Sequence, residues 1–137
     1  MLNVQSVGAD SEGVFSAYAD IVYNEDAASV AGDIVHSSTY GNGTFSDISV
    51  AGLINEAGGT DGLQELGDGV FEVLRVPMQI ANLPVGTVVE FDTNDSDAAS
   101  IRATTAFGNN EEISPNDQTY SGTSVMIAAV DEVMAEE

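Results

Sequence analysis

The sequence contains no cysteine and no lysine, and it has a single histidine, His36. Without cysteine the chain can form no disulfide, no thiolate metal site and no cysteine nucleophile. Without a second histidine we expect neither a catalytic triad nor a transition-metal site around His36. The residues therefore predict a protein that is not an enzyme.

Positive charge is almost missing as well. Arg75 and Arg102 are the only basic residues beside 23 acidic ones, which gives a formal net charge of −21 over 137 residues. Phosphate contacts require Lys and Arg, so we expect no nucleic-acid binding. A run of about 18 apolar residues is also absent, which predicts no membrane insertion. Salt or bound cations relieve such self-repulsion, so we expect a saline or calcium-rich extracellular or cell-surface setting.

Alternating apolar and polar residues predict β-strands. The pattern is clearest over residues 14–23, where every second position carries an apolar side chain. The other predicted strands are residues 2–7, 28–36, 48–56, 70–80, 87–92, 101–107 and 124–130. Turn-forming residues separate them, notably at 24–26, 41–43, 58–62, 67–69 and 84–86. We therefore expect one all-β domain over residues 1–137, an antiparallel sandwich of about eight to nine strands with a frayed or helical C-terminal tail.

Four stretches, in order, carry a family resemblance. Residues 12–24 (EGVFSAYADIVYN) and 50–59 (VAGLINEAGG) are similar to two strands of cohesin-like domains of large bacterial surface proteins. Residues 71–78 (FEVLRVPM) and 85–91 (VGTVVEF) resemble the strand pair that follows in those domains. The resemblance implies a jelly-roll sandwich, related to cohesins and some carbohydrate-binding modules, that binds partners or acts as a spacer.

The chain departs from that family at both ends. The family has a complete strand before the position of Val4 and a closing strand after the position of Val133. A sandwich without them leaves strand edges unpaired, and an unpaired edge is a template for a strand from another chain. We therefore expect a protein partner or self-association through strand edges.

Acidic clusters make calcium the expected cofactor, because calcium takes six to eight oxygen ligands with loose geometry. Residues 92–97 (DTNDSD) are predicted to form an acidic loop, although this stretch lacks the glycine and glutamate of an EF-hand. A second group flanks the ends of the strand over 14–23. The candidate calcium ligands are Asp92, Asn94, Asp95, Asp97, Asp10, Glu12 and Asp26. Solvated surface acids are the competing interpretation, and Asp61 and Asp68 are expected to be plain turn residues.

Tryptophan is also absent, which weakens the case for carbohydrate binding. Most of the five Phe and four Tyr residues fall on predicted strands, so only Tyr40 and Tyr120 are candidates for stacking on a sugar. Arg75 and Arg102 lie on predicted strands, and we expect each to pair with a carboxylate across the sheet.

The sequence thus favours a non-catalytic extracellular interaction or scaffold module. A carbohydrate-binding module is the first alternative, and a structural virion or decoration protein is the second.

Overall fold

The computed structural model describes residues 1–5, 13–62, 66–67, 69–95, 105–106 and 121–129. These residues contain eleven strands and no helix, hence no helix able to span a bilayer. The strands are β1 (Leu2–Gln5), β2 (Val14–Tyr23), β3 (Ala28–Val30), β4 (Val35–His36), β5 (Asn42–Asp47), β6 (Leu53–Thr60), β7 (Val70–Arg75), β8 (Met78–Ile80), β9 (Val88–Asp95), β10 (Thr105–Ala106) and β11 (Thr123–Met126).

The strands form three sheets in which every pair is antiparallel. The largest sheet has the order β11-β9-β2-β6-β5, and β10 also pairs with β2. The second sheet has the order β1-β7-β4, and the third consists of β3 and β8. The expected all-β antiparallel fold is therefore confirmed.

The main core lies between the largest sheet and the β1-β7-β4 sheet. Ala17 of β2 and Ile54 of β6 pack in one cluster with Val73 and Leu74 of β7, all of them buried. A second cluster joins the β3-β8 sheet to β9 through Ala28 and Val89. Apolar side chains from facing sheets fill a common interior, which is the arrangement of a sandwich.

Several predicted elements have the expected bounds. Strand β2 spans the predicted residues, and the side chain of Asn24 ends it by accepting a hydrogen bond from the amide of Asp26 (2.9 Å). The predicted turn at 84–86 is also present, since the amide of Thr87 donates to the carbonyl of Pro84 (3.1 Å). Gly86 has φ of 89° there, the value that the third residue of a type II turn requires.

Two predicted strands are each interrupted. Residues 28–36 divide into β3 and β4, and residues 70–80 divide into β7 and β8. Both segments pass from one sheet to another near Pro77, which has no amide to donate within a ladder. The amide of Ala31 donates to the carbonyl of Pro77 (2.8 Å). This hydrogen bond joins the segment between β3 and β4 to the segment between β7 and β8.

The predicted turn at 58–62 is wrong at its start, because Gly58 and Gly59 lie inside β6 and are buried. A Cβ atom at position 58 would lie 1.8 Å from the carbonyl oxygen of Ala17, and one at position 59 would lie 2.2 Å from that of Tyr40. These glycines permit close backbone contact between neighbouring segments. Strand β6 therefore begins and ends later than the predicted strand over residues 48–56, and β5, which pairs with it, was not predicted.

Replacing Gly58 by alanine tests this contact. We expect Gly58→Ala to lower the free energy of unfolding by about 2–3 kcal/mol, because the new methyl group must displace the backbone of β2. Gly32→Ala is the matched control, since a Cβ atom there meets only side-chain atoms of Pro77 in an exposed loop. Urea unfolding measures both variants, and equal stabilities would contradict the close contact.

Candidate functional site

The acidic stretch at 92–97 is not a loop over its first four residues. Asp92, Asn94 and Asp95 belong to β9, where consecutive positions alternate between the two faces of the sheet. The predicted loop is therefore wrong over residues 92–95. Asp97 lies outside the described residues, as do Asp10 and Glu12.

Two of the predicted calcium ligands nevertheless line one groove. Asp26, from the turn after β2, and Asp92, from β9, border an open groove of about 450 Å³ together with Glu90. Its apolar lining includes Val22 and Val88. Within the described ranges, no three His, Asp or Glu side chains lie close enough together to hold one metal ion. The groove is thus lined by both acidic and apolar residues.

No arginine described by the structure neutralises these acids. Arg75 pairs with Glu72, three residues earlier on the same strand, and its side chain is 67% exposed. The expected carboxylate partner is present, but it lies on β7 itself and not across the sheet. An exposed pair of this kind contributes at most about 1 kcal/mol. Arg102 lies outside the described residues.

An acidic residue that the sequence did not single out has a structural role in the pairing of β2 with β6. The register between β2 and β6 shifts next to Asp20, and Glu56 adopts a positive φ of 50° there. The carboxylate of Asp20 accepts a hydrogen bond from the amide of Glu56 (2.8 Å), which holds this bulge. The sequence signal for this role was the position of Asp20, an aspartate in the middle of an otherwise regular strand pattern.

Tyr40 is fully buried and cannot stack on a sugar, so this prediction was wrong. Its hydroxyl donates to the carbonyl of Val14 (2.7 Å). Burial, and then the charge of Asp61, raise the pKa of Tyr40. Asp61 is itself buried and is therefore no plain surface turn residue. Tyr120 and Asp68 lie outside the described residues.

His36 lies on β4, opposite Leu74. Its Nδ1 atom is buried and has no hydrogen-bond partner among the described residues, and burial lowers its pKa. The side chain is only half-buried. No described residue pairs with this Nδ1 as the carboxylate of a catalytic triad would.

Among the residues that the structure describes, strand β11 forms an edge of the largest sheet, and it pairs with β9, which lines the groove. All four of its residues are exposed, and its register with β9 is regular. The amide of Ile127 donates to the carbonyl of Thr87 (2.9 Å), and the amide of Gly86 donates to the carbonyl of Ile127 (2.8 Å). Because hydrogen-bonded pairs alternate along an antiparallel ladder, the peptide groups of Ser124 and Met126 point away from β9.

A comparison with protein-family models, curated proteins and solved structures found no match to this chain. The comparisons therefore add no support to the expected resemblance to cohesin-like domains, which depends on the four sequence stretches alone.

Proposed function

We propose that the protein is a non-catalytic interaction module that binds a protein partner by adding a strand of that partner to β11. The support is the lack of charge on this edge: β11 reads Thr-Ser-Val-Met in a chain with 23 acidic residues. Proteins commonly protect exposed edges with charged residues, bulges or very short strands. Strand β11 has no charge and no bulge against β9.

The strands at the other edges of the two larger sheets are protected by irregular pairing or short length. The pairing of β5 with β6 shifts register twice, and β5 ends at Asp47. The pairing of β1 with β7 is irregular between Leu2 and Asn3, and β4 has only two residues. Among the described edges of four or more residues, β11 is the one with a regular register, which favours it as the docking strand.

The wider setting of the proposal is an extracellular or cell-surface scaffold, as the similarity to cohesin-like domains implies. The charge of −21 suits a saline environment, where screening weakens self-repulsion. The absence of a histidine–carboxylate pair around His36 in the described residues favours binding over catalysis.

Proline substitution at position 126 tests the docking strand. Met126→Pro removes an amide that points away from β9, so we expect the fold to persist and strand addition to be lost. The probe is a display library of random linear peptides, selected on the wild-type protein. Selected peptides should bind the wild type and Met126→Ala, which keeps the amide, and fail to bind Met126→Pro.

Far-ultraviolet circular dichroism verifies that Met126→Pro is folded. If it is not, Ser124→Pro removes the other outward amide and serves as the second variant. The proposal is refuted if the selected peptides bind the proline variants as tightly as the wild type.

We also propose calcium as a stabilising ion, supported by the position of Asp26 and Asp92 along one groove with the side chain of Asn24. Carboxylate and amide oxygens are ligands that calcium accepts.

Thermal unfolding tests the calcium proposal. Millimolar calcium should raise the melting temperature above that in sodium chloride of equal ionic strength, and EDTA should reverse the rise. At about 100 times the Kd the stabilisation amounts to about 2.7 kcal/mol. The double variant Asp26→Asn, Asp92→Asn should respond less. An equal rise with sodium alone would mean that screening, and not binding, stabilises the fold.

A further inference from the structure

Two rows of side chains run across the exposed face of the largest sheet and end at β11. Glu90 of β9 lies opposite Ser124, and Val88 lies opposite Met126. Directly opposed residues of an antiparallel pair share one face. Val89, between Val88 and Glu90, points into the second core, so both rows lie on the outer face. A strand added to β11 would lengthen each row by one residue.

The first row contains the carboxylate of Glu90, beside which no described residue supplies a cation. Ser124 is short and leaves Glu90 accessible from the edge of the sheet, and both residues are exposed. Strands lie about 4.8 Å apart, so an added residue in this row would have its Cα atom about 10 Å from that of Glu90. A lysine or arginine side chain together with that of Glu90 spans this distance. Asp92 and Asp26 border the same groove and add negative potential.

The second row is apolar. Val88 is 47% exposed and Met126 is 66% exposed, and no described residue covers them from the edge. An apolar side chain on the added strand would remove part of both surfaces from water. The two rows are two residues apart along β11, so the same face of the partner strand must present a basic and an apolar residue at that spacing.

We propose that the partner is an extended, basic segment of another protein, with Lys or Arg opposite Ser124 and an apolar residue opposite Met126. This inference depends on the proposed function, because it names the chemistry of the strand that β11 receives. Charge complementarity argues against a second copy of the chain as the occupant. Strand β11 of another copy offers no cation, and two chains of −21 repel each other.

Synthetic peptides test the proposal directly. Each is a short threonine-rich strand with one leucine and one lysine two residues apart, made in both orders because the strand can add in either direction. The comparison peptides replace the lysine by glutamine or by glutamate. Binding to the full chain is measured by fluorescence anisotropy in EDTA, so that divalent cations do not compete for the acids.

We expect the lysine peptide in one order to bind about two- to fivefold more tightly than its glutamine version, and the glutamate version to bind least. Glu90→Gln should remove most of this preference, and added salt should weaken it. Asp33→Asn is the matched control, because it removes one negative charge in an exposed loop outside the groove. It should leave the preference for lysine intact.

The failures of the two proposals are distinguishable. If all peptides bind equally and Met126→Pro abolishes their binding, strand addition holds and the basic partner is refuted. If no peptide depends on the outward amides, both proposals fail. If sedimentation shows a dimer that Met126→Pro dissolves, the occupant is a second copy and the inference is overturned.

Discussion

The close contact between β2 and β6 is the constraint on which the rest of the structure depends. Strand β2 pairs with β6 along one side and with β9 and β10 along the other, so it sets the position of the whole sheet. At Gly58 the backbones approach so closely that no Cβ atom fits. The bulge held by Asp20 lies in the same pairing. Through β9, this contact also sets the position of the edge strand β11.

The distribution of negative charge around β11 distinguishes this edge from the rest of the surface. A chain with a net charge of −21 repels other negatively charged macromolecules, including its own copies. Charged side chains on an edge strand also protect that strand from accidental pairing. Here Asp26, Glu90 and Asp92 line one groove, while β11 itself is uncharged. In the proposed interaction, these acids select a basic partner by charge beside the edge, and the partner pairs with β11 through its backbone.

The sequence predicted the all-β class and the bounds of β2 because period-2 alternation and the Asn24 turn are local signals. The prediction from sequence failed for residues whose structural role depends on contacts with residues that are distant in the chain. Gly58 and Gly59 read as turn formers, but they are required by the backbones of Ala17 and Tyr40, which are remote in sequence. Tyr40 read as a surface aromatic for the same reason, since its partner Val14 lies 26 residues away.

For the candidate site, the sequence indicated which acidic residues could bind an ion, but not which of them lie together in the fold. Asp26 and Asp92 were selected from two separate clusters, and the groove that they share exists only because the end of β2 lies beside β9. Glu90 was not predicted, because one acid in a strand pattern does not reveal its row partner Ser124. That pairing depends on the register between β9 and β11, for which the sequence carries no local signal.

Amide hydrogen exchange along β11 tests the central claim most directly. In the free protein, the amides of Thr123 and Val125 should be protected by β9, whereas those of Ser124 and Met126 should exchange as fast as unprotected amides. Binding of the lysine peptide should slow exchange at Ser124 and Met126 specifically. Protection of all four amides in the free protein would mean that the outer side of β11 is already paired, and would contradict the account.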